Sequence, residues 1–371
     1  MQHTLYIGHV IDVLKKLIDE GTKCNCVVTS PPYWGLRDYG TEPQIWDANH
    51  NCEHEWASSI KHRTSGGPQV PHTKWQKNIQ IQKAQRDTKS MHCTKCGAWK
   101  GQLGLEPHFN LYIKHLCDVF DLIKQVLKDS GTCWVNVGDT YWGGGQGGGE
   151  KQSVEKEGYG HVAIGSDYRN KRLCLIPSRF GIEMVNRGWI ERVDVIWEKP
   201  NAMPESVKDR FTVDYEHLFL FVRNPKYYFE QQFERHKPRL MRYSKRGKGS
   251  IDGVEDRNVG LDKNVGKYSS KRNLRCVWRI KTEQYPEAHF AIFPRKLVRI
   301  PIKAGCPEGG IVLDPFVGSG TTMAEAEQQR KNSIGIDLKY EKLVQRRLGL
   351  TPSIVQKGLG GVDSRLDIIY I

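Results

Sequence analysis

Two short runs contain residue types that can do chemistry. The first is Thr29-Ser30-Pro31-Pro32-Tyr33, which directly follows the apolar stretch CNCVV. The stretch reads as a buried strand, and the paired prolines stop it. Proline fixes φ and carries no N–H, so the turn offers a hydroxyl and carbonyl oxygens but few donors. An exocyclic amine about to be alkylated needs such acceptors. They hold its protons and turn its lone pair toward the incoming group. Tyr33 adds a face on which a planar ring can stack. A Pro-Pro-Tyr turn alone is a common surface feature, so this run has meaning only beside a second one.

The second run is Ile311-Val-Leu-Asp-Pro-Phe-Val-Gly-Ser-Gly-Thr-Thr322. An apolar strand delivers Asp314 to its carboxyl end, followed by Pro315 and Phe316. Gly318 and Gly320, around Ser319, let the backbone approach a ligand closely, and Thr321 and Thr322 open a helix. Asp337 ends the next strand, SIGID, where an acid can accept from both hydroxyls of a ribose. A nicotinamide dinucleotide fits poorly. The turn lacks G-x-G-x-x-G spacing, and Asp314 would repel a pyrophosphate. A P-loop is excluded because no Gly-Lys-Ser/Thr follows. A cationic sulfonium would be attracted, so the chemistry favours S-adenosylmethionine.

A third pattern is Cys52-x-His54 with Cys93-x-x-Cys96. Two close pairs far apart in sequence are the ligand spacing of a tetrahedral structural zinc. They flank a polar stretch poor in aliphatics, which has few other means of ordering itself. His50 and His92 are substitute ligands. The competing reading is four unrelated residues in a chain with ten Cys and 13 His. Cys24, Cys26, Cys117, Cys133, Cys174, Cys276 and Cys306 are expected in the core. No Pro-Cys dipeptide occurs, which removes a C5-cytosine mechanism.

The elements that must position these residues alternate. LYIG reads as a strand, and VIDVLKKLIDEG as an amphipathic helix ending at Gly21. LYIKHLCDVFDLIKQVLKDSG reads as a long amphipathic helix closed by Gly131, with the strand TCWVNVGDTY after it. A Gly-rich loop follows over 143–170. PSRFGIEMVNRG reads as a helix, and RVDVIWEK and HLFLFVR as strands. Residues 235–281 carry 15 Lys/Arg against 4 Asp/Glu. Much of the chain's formal charge of +14 therefore lies in one window. Such a run is usually a solvated surface, but this concentration favours a phosphate-contacting face. No apolar stretch is long enough for a membrane span. The N-terminus lacks the features of a signal peptide, and an intracellular, cytoplasmic setting with reduced thiols is expected.

With both motifs in hand, the chain resembles the β-class amino-methyltransferases of DNA, many of them from restriction–modification systems and phages. In that family a [S/D/N]-P-P-[Y/F/W] motif precedes the cofactor motif, a circularly permuted order, with target recognition between them. Ser30-Pro31-Pro32-Tyr33 and Asp314-Pro315-Phe316-x-Gly318-Ser319-Gly320 have that order here. KPNAMPES at 199–206 and HFAIFPRKL at 289–297 match further, the latter with the segment that closes over the cofactor's methionine end, which brings in Phe293. The family's usual Gly-Asp after the first strand is Gly8-His9 here.

The resemblance implies an α/β fold, a doubly wound, mostly parallel seven-stranded-type sheet, to which the Cys/His spacing adds a zinc-stapled insertion and the charge pattern a basic target-recognition region. The expected division is 1–49 and 286–371 for the catalytic and cofactor halves, 50–99 for the insertion, 100–234 for the continued domain and 235–285 for recognition. It implies S-adenosylmethionine as cofactor, double-stranded DNA as partner, and a prokaryotic or phage-infected cell. A target base would be flipped out and held by Ser30 and the Pro31 carbonyl, with Tyr33 and Trp34 stacking on it. Arg242, Lys245, Arg246, Lys248, Lys271 and Arg272 would grip the nucleic acid. In the family, Ser at the first motif position goes mostly with N4 of cytosine and Asp mostly with N6 of adenine, so cytosine is expected. Adenine N6, an RNA substrate and a catalytically inactive zinc-containing DNA-binding protein stay as alternatives.

Overall fold

The computed structural model describes residues 1–49, 51–62, 88–142, 171–235, 271–283, 293–349, 353–354 and 365–371. The Gly-rich loop 143–170 lies outside the described residues, as do Arg242, Lys245, Arg246 and Lys248.

Seven neighbouring strands form the centre of one sheet. In spatial order they are β8 (Ile190–Glu198), β9 (Tyr215–Val222), β7 (Leu127–Val137), β2 (Cys24–Thr29), β13 (Ile311–Asp314), β14 (Asn332–Asp337) and β1 (His3–Ile7). Only β9 runs against its neighbours. The sheet is larger than the seven strands expected. β12 (Val277–Arg279) extends it beside β8, and β16 (Leu366–Tyr370) and β15 (Ser353–Ile354) extend it beyond β1, ten strands among the described residues.

Buried strands with apolar residues on both sides need a layer on each face. Cys24 and Val27 of β2, with Cys133, Val135 and Val137 of β7, pack against α1 (Val10–Asp19), α2 (Phe109–Val126) and α3 (Ile176–Asn186). On the other face Cys26, Val28 and Trp134 meet α4 (Arg295–Gly305) and α5 (Thr321–Gln328). The last helix, α6 (Glu341–Leu348), packs through Val344 and Leu348 near Leu5 and Ile368. Trp278 is buried in the second cluster, as core. Of the seven cysteines expected in the core, six are buried and Cys276 is exposed. It lies just before the edge strand β12.

The long helix ends earlier than its pattern predicts. α2 stops at Val126, and Leu127 begins β7 opposite Cys24. Leu127 is buried, whereas Lys128, Asp129 and Ser130 stand exposed in an irregularity of the pairing before Thr132 meets Cys26. Leu127 continues the apolar rhythm of the helix, so periodicity alone could not find the switch. Gly131 serves the bulge, since a Cβ there would lie 2.4 Å from the Leu127 side chain.

The insertion makes its own antiparallel sheet, in the order β3 (Gln44–Trp46), β6 (Trp99–Gly101), β5 (Thr88–Cys93) and β4 (Trp56–His62). One link to the main body is His115 of α2, a fully buried imidazole. Nδ1 lies 3.1 Å from Glu106 Oε1 and Nε2 lies 3.2 Å from Asp47 Oδ2. The ring stacks between Trp46 and Trp99, at 5.1 and 5.5 Å. Burial opposes the charge on His115, but hydrogen bonds to Asp47 and Glu106 outweigh it and hold its pKa above the ordinary value.

Candidate active site

In a parallel sheet, loops at the carboxyl ends of the strands converge on one edge. β2 and β13 are neighbours, paired Val312 to Cys26 and Leu313 to Val27. The turns that follow them therefore meet, although Thr29 and Asp314 stand at opposite ends of the sequence. Thr29 Oγ1 donates to Asp314 Oδ1 at 2.7 Å, in a buried bond. The same oxygen accepts the Phe316 N–H at 3.1 Å. Burial pushes the Asp314 carboxyl up to about 6, against the lowering effect of hydrogen bonds from Thr322, Thr29 and Phe316.

Asp337 ends β14, one strand further along. Its Oδ2 accepts from Gly318 N at 2.9 Å, and its Oδ1 from Lys339 N at 2.9 Å and Tyr340 N at 3.3 Å. These bonds fix the carboxylate across the glycine turn. They also use lone pairs that the sequence reading had left entirely to a ribose. Burial holds its pKa above the usual carboxylate value. Gly318 and Gly320 have φ of +49° and +80°, a region that a side chain disfavours. A Cβ on Gly320 would also press on Val344 at 3.2 Å. A buried and a half-buried acid beside an open-backbone turn suit a cationic ligand bearing a ribose, and they disfavour a pyrophosphate. Thr321 and Thr322 are buried. Thr321 Oγ1 accepts from Arg347 at 2.7 Å and Thr322 Oγ1 donates to the Val28 carbonyl at 3.4 Å, so both brace the turn. Phe293 packs into the second core cluster, just ahead of α4.

The proline turn forms the other wall. Ser30 Oγ donates to Tyr33 Oη at 3.3 Å. The Tyr33 hydroxyl proton faces two acceptors, Glu216 Oε2 at 2.6 Å and Asn136 Oδ1 at 2.9 Å. Glu216 is paired in turn with Lys199 through its other oxygen. Burial and the Glu216 charge hold the Tyr33 pKa far above its ordinary value, so it stays a neutral donor. Its ring lies over Gly138, where a Cβ would fall 2.6 Å from the ring edge. Tyr112 Oη donates to the Pro32 carbonyl at 2.8 Å, which fixes the turn from α2.

A family model described as DNA methylase, N6_N4_Mtase, matches residues 24–345. The chain belongs to the N6/N4 DNA methylase family. The family is one of S-adenosylmethionine-dependent DNA methyltransferases. The type II methyltransferase M.SmaI of Serratia marcescens is 33% identical over 87% of this chain and 84% of its own length. M.Cfr9I of Citrobacter freundii is 31% identical over 91% and 84%. The solved PvuII DNA methyltransferase, titled cytosine-N4-specific, shares the fold with a TM-score of 0.52 at 15% identity, covering 95% of this chain and 87% of that one.

Within the methylase, three further polar residues stand at the site: Lys199 opens the KPNAMPES segment, whereas Asn136 and Glu216 belong to no motif. Asn136 is on β7, Lys199 follows β8, and Glu216 begins β9. β9 runs backwards, so its start meets the ends of its neighbours. Asn136 stands opposite Leu218, and Glu216 opposite Trp197. Only the sheet order brings them to Tyr33. Trp34 is anchored from two sides. Its Nε1 donates to the Glu106 carbonyl at 2.9 Å and its ring stacks on Trp142 at 5.8 Å, so it is built into the wall. His9, in place of the family's acid, lies edge-on to Trp46 at 4.8 Å. In the basic window, Arg272 pairs with Glu234 at 2.7 Å, while Lys271 is exposed beside it on β11 (Lys271–Asn273).

The four residues of the third pattern come together. Cys52 Sγ is 3.8 Å from Cys93 Sγ, and Cys96 Sγ is 3.4 Å from His54 Nδ1. All four donor atoms lie within 4.8 Å of one another. Zinc bonds of about 2.3 Å to sulfur and about 2.0 Å to nitrogen give tetrahedral edges of roughly 3.5–3.8 Å. The donor set therefore fits zinc in both chemistry and size.

Proposed function

We propose that this methylase transfers a methyl group to N4 of cytosine in double-stranded DNA, as the modification enzyme of a type II system. The observation that carries the reading is the buried Thr29–Asp314 hydrogen bond, which holds the amine-acceptor turn against the cofactor turn. Asp314, Asp337 and the Gly318–Gly320 turn would hold S-adenosylmethionine. When bound, the cofactor supplies a methyl group on a sulfonium, already a good leaving group.

The protein's part is orientation. Ser30 donates its proton to Tyr33, so its lone pairs face outward and can accept an amine N–H. The Pro32 carbonyl is already engaged by Tyr112, which leaves the Pro31 carbonyl as the second acceptor. Two acceptors hold both amine protons and aim the nitrogen lone pair at the methyl group. Tyr33, locked by Glu216 and Asn136, offers its ring to the base. Positioning of this kind accounts for much of a rate enhancement in methyl transfer. A neutral Ser30, rather than a carboxylate, favours cytosine on the family's correlation. Zinc on Cys52, His54, Cys93 and Cys96 would be structural, because four protein ligands leave no open position.

The test exposes unmethylated genomic DNA to the protein and isotopically labelled S-adenosylmethionine, then digests to nucleosides for mass spectrometry. Label in N4-methylcytosine is expected. Label in N6-methyladenine would refute the base assignment while keeping the cofactor and the site.

A further inference from the structure

The segment from Lys199 to Asp214, between β8 and β9, has neither helix nor strand and turns apolar side chains outward. Phe211 is 95% exposed and Met203 is 72% exposed, with Val207 and Val213 also exposed. Single exposed apolar residues are ordinary, but a cluster on one loop marks a contact surface.

The backbone around that cluster is firmly held. Lys199 N donates to the Asp214 carbonyl at 2.7 Å and closes the base of the loop. Asn201 and Thr282 exchange hydrogen bonds, with Asn201 Nδ2 2.9 Å from Thr282 Oγ1 and Thr282 N 2.9 Å from Asn201 Oδ1. Arg210 sits over the Tyr141 ring at 4.1 Å, pairs with Glu205 and donates to the Phe211 carbonyl at 3.0 Å. Lys171 pairs with Asp209 at 2.5 Å. Charged neighbours thus fix the main chain while the phenyl ring of Phe211 is left in water. The loop is also rooted in the catalytic cluster, because Lys199 is paired with Glu216, the acceptor of the Tyr33 hydroxyl.

We propose that Phe211, flanked by Met203 and Val207, is an apolar wedge that enters the duplex beside the target base and fills the space the base leaves. This rests on the reading that the enzyme acts on a base drawn out of duplex DNA. Such a base leaves behind an unstacked gap, and apolar side chains inserted at base steps are a known way to fill one. The loop's charges suit that place. Residues 199–214 carry Lys199, Lys208 and Arg210 against Glu205, Asp209 and Asp214, a balanced set in a strongly basic chain. A phosphate-gripping element would be cationic, whereas an element that enters the base stack need not be.

The test compares Phe211→Ala and Phe211→Trp with the wild-type chain on synthetic duplexes containing a mapped target site. One duplex is fully paired, and the other places an abasic site opposite the target base, so that flipping needs no help. Phe211→Ala should lose about 10- to 100-fold in kcat/KM on the paired duplex, the range expected for one lost aromatic–base stack. It should recover wild-type activity on the abasic duplex, and Phe211→Trp should retain activity on both. Calorimetric titration with S-adenosylmethionine should be unchanged in both variants, which shows an intact fold. Unchanged activity on the paired duplex overturns the wedge. So does an equal loss on both duplexes, and if sedimentation also shows that a dimer has been lost, the occupant is a second copy. The wild-type product tests the parent reading separately. N6-methyladenine there refutes cytosine and leaves the comparison valid with the abasic site moved opposite adenine, while no methylation of any DNA overturns both.

Discussion

Asp314 is the side chain in which burial and binding oppose each other most directly. Its carboxyl is raised to about 6 because desolvation outweighs the bonds from Thr322, Thr29 and Phe316. For a raised acid the sign is definite. Its contribution to the stability of the ligand-free fold is fully present below the unfolded value of about 3.9 and is lost as pH rises through about 6. A bound cation reverses the preference, since it favours the ionised form. We therefore expect the affinity for S-adenosylmethionine to fall as pH drops below about 6, approaching tenfold per unit, in calorimetric titrations between about pH 5 and 8. Asp314→Asn should bind more weakly throughout and flatten that dependence. A profile in the variant as steep as in the wild type would remove Asp314 from the cofactor site. The acid itself was legible in the sequence, because a strand, an acid, a proline and two glycines state their own geometry. Its hydrogen-bond partner Thr29 has no such signature. No local rule joins residues this far apart until the pairing of β2 with β13 is known.

Single elements were read well where period and punctuation agreed. Gly21, with φ of +69°, follows the end of α1 as expected, and β13 delivers Asp314 on its last residue. The join of α2 and β7 was not legible, because Leu127 satisfies both the helical rhythm and the strand's need for a buried residue. Asn136 and Glu216 belong to no motif, and the reversed direction of β9, not any spacing, brings them together. The insertion is a case where side-chain chemistry said more than periodicity. Its four ligands stand together although little of the segment reads as core. If zinc staples it, the purified chain should carry about one zinc per molecule by elemental mass spectrometry. Chelation should then raise backbone hydrogen exchange in 51–57 and 91–101 and leave β13 and β14 protected. His115, which ties Asp47 to Glu106, should confine the loosening to the insertion side. Metal-free protein with the same exchange pattern would show that Trp46, Trp99 and His115 hold the insertion unaided.

At the scale of the whole molecule, the order of the two motifs and the concentration of charge were both visible before any coordinates, and they bear on different steps. The two motifs, on the family resemblance, belong to one site, and the sheet brings them together by placing β2 beside β13. Charge concerns how the substrate is captured. With a formal charge of +14 and 15 Lys/Arg in residues 235–281, binding to duplex DNA should be strongly salt-dependent. Each phosphate contact contributes about 0.9 to the slope of log affinity against log salt. Replacing Arg242, Lys245, Arg246 and Lys248 together with Gln should therefore lower that slope by about 3 to 4, with little change in S-adenosylmethionine affinity. Phe211→Ala, by contrast, should leave the slope intact, because it removes a stacking group and no cation. Fluorescence-anisotropy titrations over a range of salt concentrations measure both. An unchanged slope in the four-residue variant would mean that the basic window is solvated surface, and that the grip on DNA comes from other cations, such as Lys271 on β11. A lowered slope in Phe211→Ala would mean that the loop's main effect is on backbone contacts, with insertion secondary.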